Sequence, residues 1–210
     1  MLEIALQRLR SFGVNEVIIN THHFADLVRD YLDARRNFGM RIEISPEDIL
    51  LDTGGGLKKA AWFFLEGGRD EPFLLHNVDV ISNIDLSRMV RFHTEQGALV
   101  TLAVQARPTS RPLLFNQGGW FRGRAGQGSS TNNPGMVSLA FSGIHVISPR
   151  LFAHIAEEGV FSLIDSYVRL ASQGHKILAF PADSYYWRDV GRPADLNQAA
   201  ADLNSGDFKV

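Results

Sequence analysis

No cysteine occurs among the 210 residues, which excludes disulfide frameworks, thiolate metal sites and cysteine nucleophiles together. No apolar run approaches the roughly 20 residues that a membrane-spanning helix needs. The opening Met1-Leu2-Glu3-Ile4-Ala5-Leu6-Gln7-Arg8 is amphipathic, unlike a secretory leader. Neither sign of charge dominates: 21 basic and 23 acidic side chains leave a net charge of -2. No basic stripe therefore marks a nucleic-acid groove, and no acidic tail is present. The seven histidines show no zinc-protease spacing, no Ser/His/Asp arrangement can be traced, and no internal repeat is seen. These absences fit a cytoplasmic protein with neither nucleic acid nor membrane as partner.

What is there is an ordinary core composition, 45% hydrophobic, enough for one compact domain. Leu2, Leu6 and Leu9 follow helical spacing, and Gly13 is placed to stop that helix. Residues 14–20 read as a buried strand, and Phe24, Leu27, Val28, Tyr31 and Leu32 as the next helical stripe. Residues 41–45 alternate as a strand. Thr53-Gly54-Gly55-Gly56 reads as a turn opening a helix from Leu57 to about Leu65. Strands are expected at 73–75 and 98–106, with a helix at 86–95 between them. This alternation predicts an α/β fold with a mixed, mostly parallel sheet flanked by helices. Later, residues 112–124 read as a hairpin turning at Gly118-Gly119, and 126–135 as a mobile loop. Strands follow at 137–147, 176–180 and 187–190, with helices at 149–157, 162–173 and 193–203.

Two aspartates stand out. Asp79 closes Phe73-Leu74-Leu75-His76-Asn77-Val78-Asp79, and Asp189 lies in Trp187-Arg188-Asp189-Val190-Gly191. Each follows an apolar, strand-like stretch. In open α/β sheets ligands bind beyond the carboxyl ends of strands. Two converging carboxylates there would suit Mg²⁺, which takes one or two carboxylates plus substrate phosphates. Singly, either could be a helix cap or a turn residue. The glycine triplet Gly54-Gly55-Gly56 costs backbone entropy. Either a ligand lies on the backbone at a helix N-terminus, or the turn is flexible; the spacing is not that of a Walker loop. Asn77 could bond a substrate hydroxyl or cap a turn. Gly143, inside the apolar run Phe141-Ser142-Gly143-Ile144-His145-Val146, marks close approach of a ligand or another backbone. Asp165 could accept a sugar hydroxyl or be a solvated helix residue.

With these segments in order, the chain resembles the sugar-1-phosphate nucleotidyltransferases, or NDP-sugar pyrophosphorylases, over nearly its whole length. The likeness rests on the opening helix, Gly13-Val14-Asn15-Glu16-Val17-Ile18-Ile19-Asn20, Thr53-Gly54-Gly55-Gly56, Asn77-Val78-Asp79, the Phe141 strand and Trp187-Arg188-Asp189-Val190-Gly191-Arg192-Pro193. Asp52-Thr53-Gly54-Gly55-Gly56 is most similar to N-acetylmuramate-1-phosphate uridylyltransferases, with mannose-1-phosphate guanylyltransferases next. The resemblance implies a Rossmann-like core forming one domain over 1–210. It also implies a reaction in which a sugar-1-phosphate attacks an NTP, UTP or GTP, to give an NDP-sugar and pyrophosphate. By the same carry-over, Asp79 and Asp189 would be catalytic and hold Mg²⁺. Thr53, Gly54, Gly55 and Gly56 would bind the nucleotide, and Asn77, Gly143 and Asp165 would line the sugar side.

Two departures from the family pattern carry expectations. The family begins with a strand and a Gly-rich loop that binds the triphosphate; Met1 falls where the family's first helix begins. The domain is therefore expected to be N-terminally incomplete, with its first strand missing and apolar edges bared on the two neighbouring strands. A Glu-Lys-Pro segment that supplies a phosphate-binding Lys is replaced here by Ser129-Ser130-Thr131-Asn132-Asn133-Pro134-Gly135. These departures motivate an alternative, a catalytically impaired module that senses an NDP-sugar. A glycosyltransferase with an Asp-x-Asp metal site ranks last, because Val78-Asp79-Val80 offers one acid only.

Overall fold

A computed structural model describes residues 1–125 and 135–205. The expected loop at 126–135, apart from Gly135, and the segment replacing Glu-Lys-Pro lie outside the described residues. The chain opens with helix α1 (Leu2–Ser11), whose Leu6 is buried; Gly13, at φ +82°, ends it as expected. Strand β1 (Glu16–Thr21), helix α2 (Ala25–Ala34) and strand β2 (Arg41–Pro46) follow, and β1 and β2 pair in parallel.

Helix α3 (Asp52–Lys59) corrects the expectation of a glycine turn: the helix starts at Asp52 and contains all three glycines. Helix α4 (Ala61–Leu65) continues after a break at Ala60. Next come β3 (Phe73–His76) and a strand not anticipated, β4 (Val80–Ser82). Helix α5 (Leu86–Gln96) is capped at both ends: the Asp85 carboxylate accepts from Arg88 N–H at 2.8 Å, and Gly97 closes it in the left-handed region. Such caps satisfy amides and carbonyls that a helix leaves unpaired at its ends. Strand β5 (Val100–Gln105) and the expected hairpin β6 (Leu113–Asn116) and β7 (Phe121–Arg124) lead to β8 (Met136–Ile147). Residues Pro149–His154 form a 3₁₀ helix, shorter than the helix expected there. Helix α6 (Leu163–Ser172), β9 (Ile177–Pro181), β10 (Trp187–Asp189) and α7 (Pro193–Ser205) complete the chain.

The sheet is mixed. Strands β3 and β5 both run antiparallel to β8, which lies between them, and β5 pairs in parallel with β9. So β3, β5 and β9 share one direction and β8 is reversed among them. The β6–β7 hairpin joins the start of β8, and Trp120 curls back to bridge Leu178 of β9. Helix α6 covers one face of β5 and β8 through Leu163, Tyr167 and Leu170, all fully buried with Val100, Leu102 and Ile147. Helix α5 covers the other through Leu86 and Met89, against Ala103, Ile144 and Val146.

One interruption positions the site. Among the described residues β1 pairs only with β2, and β3 only with β8. Their free edges border a cleft, because Val17 and Ile18 of β1 and Leu74 of β3 line the same cavities, of about 680 and 570 Å³. These two edges, unpaired among the described residues, are walls of this cleft.

Candidate functional site

The turn after β3 sets the first carboxylate. Asn77 N–H donates to Gly143 C=O (2.9 Å), and Val80 N–H donates back to Asn77 C=O (3.3 Å), which folds Asn77-Val78-Asp79 tightly against β8. Strand β4 then runs antiparallel to β10, with Asp189 opposite Val80. Val190 N–H donates to Asp79 C=O at 2.8 Å, so the backbone of one aspartate is tied to the neighbour of the other. Gly191 N–H holds Asp189 Oδ1 at 2.9 Å. A methyl group built on Gly191 would lie 3.2 Å from Asp189 Oδ1 and 3.6 Å from Asp79 Oδ2. Both carboxylates therefore face one spot, and the absent side chain of Gly191 leaves it open.

The electrostatics fit a cation there. Burial first, and then the negative charge of Asp189, push the Asp79 carboxyl above its ordinary range. Among the described residues neither aspartate has an ion pair with Lys or Arg. Two like charges left uncompensated beside each other are what a hard divalent ion relieves. No cluster of three or more candidate ligands exists among the described residues, so waters and phosphate oxygens would have to complete the shell, as is usual for Mg²⁺.

Gly143 is held at φ +76°. A side chain there would meet Val80 Cγ2 at 2.8 Å and Asn77 Nδ2 at 3.2 Å. Of the two readings given by the sequence, close approach of protein is the one realised, and it seats the Asn77 amide against β8 beside the carboxylate pair. Asp165 is elsewhere. It sits in the first turn of α6, pairs with Arg124 of β7 at 3.1 Å, and has no described hydrogen bond to Asn77 or Gly143.

The smaller cavity brings Thr53, Asp52, Asn20, His22, Glu47, Leu50, Val160 and His76 together. Asn20 Nδ2 donates to Glu47 Oε1 (2.9 Å), and Leu51 N–H donates to Glu47 Oε2 (2.9 Å), fixing that nearly buried carboxylate. His76 bonds its own chain through Nδ1, at 2.7 Å from Asn77 O, while its Nε2 is buried without a partner. Burial lowers the His76 pKa, which keeps the ring neutral. The three glycines do not line this cavity; they are buried behind it. A methyl on Gly54 would strike the Phe161 ring and carbonyl, one on Gly55 the Gly159 carbonyl oxygen, and one on Gly56 the Asn20–Glu47 pair, each inside 3.0 Å. The triplet lets α3 press against residues 159–161 and against β1, which leaves Thr53 at the cleft.

Sequence reasoning missed Arg107. It lies just past the end of β5 and stacks its guanidinium 3.6 Å from the centre of the Trp187 ring. Trp187 in turn donates from Nε1 to Ser142 C=O at 2.7 Å. A cation following the carboxyl end of an apolar strand was the available signal.

Known proteins are similar to this chain in sequence and in fold. The nucleotidyl transferase family model matches residues 1–115. A UTP–glucose-1-phosphate uridylyltransferase of Synechocystis is 25% identical over 224 residues, covering 100% of this chain and 56% of the relative. An N-acetylmuramate alpha-1-phosphate uridylyltransferase of Caulobacter vibrioides is 30% identical over 213 residues, covering 97% and 84%. Among solved structures, HddC from Yersinia pseudotuberculosis complexed with GMP-PN superposes with a TM-score of 0.74 at 18% identity, covering 95% of this chain and 84% of that one. The chain thus belongs to the nucleotidyl transferase family, and its fold is that of nucleotide-diphospho-sugar transferases. It spans little more than half the length of several curated relatives it matches.

Proposed function

We propose that this domain transfers a nucleoside monophosphate from an NTP to a sugar-1-phosphate, releasing pyrophosphate and forming an NDP-sugar. A phosphate oxygen of the sugar phosphate forms a bond to the α-phosphorus. The bond from that phosphorus to the bridging oxygen breaks, and pyrophosphate leaves with the electron pair. UTP or GTP is the donor. The observation that carries this reading is the convergence of Asp79 and Asp189 on one open spot in a member of this family.

Asp79 and Asp189 would hold Mg²⁺, which when bound supplies charge neutralisation to phosphates reacting in line. The chain's own part is positioning. Asn77, braced against Gly143, presents an amide to the sugar. Thr53, on the first turn of α3 with Asp52, faces the base across the cleft, and Gly54, Gly55 and Gly56 set how deeply that turn sits. Asp165, tied to Arg124, would reach only the outer part of a sugar. No helix among the described residues is long and apolar enough to cross a membrane, and a cytoplasmic site of action, where NTPs are made, completes the proposal.

The test is chromatographic. UTP or GTP is incubated with glucose-, mannose- or N-acetylmuramate-1-phosphate and Mg²⁺, and NDP-sugar and pyrophosphate are quantified. Equimolar NDP-sugar and pyrophosphate from one pair, lost in Asp79→Asn, is the expected result. Product formation unchanged in Asp79→Asn would refute the assignment of the carboxylate pair.

A further inference from the structure

The carboxylate pair is negative, and the ligand proposed for it is more negative still. A compensating cation should be present besides the metal. Among the described residues Arg107 meets that need. Its guanidinium stacks on Trp187, and Trp187 and Asp189 lie on one face of β10, since residues two apart in a strand point the same way. Its Nη2 donates to Phe141 C=O at 2.8 Å, two residues before Gly143. Arg107 is therefore pinned between β8 and β10, near enough to Asp189 to feel its charge.

The pinning leaves the charge unused. A guanidinium offers five donors, and only the bond to Phe141 is made within the described protein; Nε is buried with no partner. No carboxylate forms an ion pair with it among the described residues. Burial makes the guanidinium harder to keep charged, and the field of Asp189 opposes this. Stacking on the indole holds the group in place without using its hydrogen-bond donors. Arginine suits planar, bidentate contacts with phosphate oxygens, and a fixed fork loses little entropy in making them.

We propose that Arg107 binds a phosphoryl oxygen of the substrate held at the Asp79–Asp189 pair; this rests on the nucleotidyl-transfer reading above. The arginine is a binding and positioning cation on the protein side, and the metal remains on the carboxylate side. The phosphate could be that of the sugar or that of the departing pyrophosphate, and the two are separable by probe.

The experiment measures dissociation constants of the full chain for α-D-glucose 1-phosphate and for pyrophosphate by titration calorimetry with Mg²⁺ present. Wild type is compared with Arg107→Gln, Arg107→Lys and the exposed neighbour Arg111→Gln. Thermal stability is recorded for each. We expect Arg107→Gln to weaken one probe tenfold or more, naming the phosphate that is bound. We expect Arg107→Lys, which keeps the charge but loses the flat fork and the stack, to weaken the same probe measurably but less than Arg107→Gln does, while sharing the lower stability. Arg111→Gln should leave both constants unchanged. A merely structural arginine would move stability in both Arg107 variants and affinity in neither, or affinity equally in both, and either result overturns the proposal. So does a wild type that binds neither probe. If Arg107→Gln does not fold, the lysine variant decides alone: lower stability with both constants unchanged counts against the proposal. NDP-sugar formation with no Arg107 effect removes this role and leaves the function standing. Arg107-dependent phosphate binding without NDP-sugar formation removes the function and leaves this site standing.

Discussion

Gly55→Ala sets two physical effects against each other and lets magnitude decide. Gly55 lies inside α3 with ordinary helical backbone. By helix propensity alone alanine should stabilise it by about 1 kcal/mol. Against that, the new methyl would fall inside 3.0 Å of the Gly159 carbonyl oxygen. That neighbour is backbone, with no side chain to swing away, so the segment 159–161 would have to move. Overpacking of this kind costs about 1–3 kcal/mol. The move would also loosen the bonds from Gly54 N–H to Phe161 C=O (3.0 Å) and from Phe161 N–H to Leu51 C=O (3.2 Å), each worth about 1 kcal/mol net. The balance is a loss of about 1–3 kcal/mol. For a domain of this size that lowers Tm by roughly 2–12 °C, at about 2–4 °C per kcal/mol. Gly118→Ala is the control. Its methyl would meet nothing closer than 3.4 Å, and its φ is not positive, so a change within about 0.5 kcal/mol is expected. Urea and thermal unfolding of both variants give the answer. If Gly55→Ala raises Tm, propensity has won, and residues 159–161 yield to the methyl without the cost argued here. Because Val160 lines the cleft, the destabilised variant should also bind nucleotide more weakly.

Asp79→Asn removes one of two like charges. The folded protein holds the Asp79 carboxyl above its unfolded pKa, so this group costs stability once pH rises past its titration, and the cost vanishes below it. Metal-free Asp79→Asn should therefore equal or exceed wild type near pH 7, and should lose the stabilisation by Mg²⁺ plus NTP expected of wild type; a metal-free variant clearly weaker than wild type would contradict the repulsion. His93 and His145 are buried and neutral, with pKa values lowered by burial to about 4 and about 3. Unfolding below pH 6.5 therefore takes up protons, and stability should fall with acid from that point down to those values. His93→Gln removes one such proton. The slope of stability against pH between about 6 and 4.5 should shrink by about 1.4 kcal/mol per unit, and an unchanged slope would show that His93 is protonated in the native state. Gly143→Ala forces a side chain into a left-handed backbone against Val80 and Asn77; product formation should fall more than stability does, and loss of stability alone would separate Asn77 from the site.

The helix and strand periods, the helix stop at Gly13 and the hairpin at Gly118-Gly119 were all legible along the chain, because each depends on residues a few positions apart. So was the family, from short segments in fixed order. The two aspartates could be named for their place after apolar runs. Their facing one spot could not, since that needs β4, a three-residue strand too short to show a period, to pair with β10 more than a hundred residues away. The glycine triplet shows the same limit in reverse. From sequence it invited a turn or a ligand, and only the approach of residues 159–161 reveals that the glycines are spaces for protein. Arg107 shows a related dependence: one cation after one apolar strand is a faint signal until Trp187 and Asp189 arrive beside it. Local order follows from neighbouring side chains and backbone preference, whereas the charges and spaces of a site are made by segments distant in sequence, brought together by burial of the core between them.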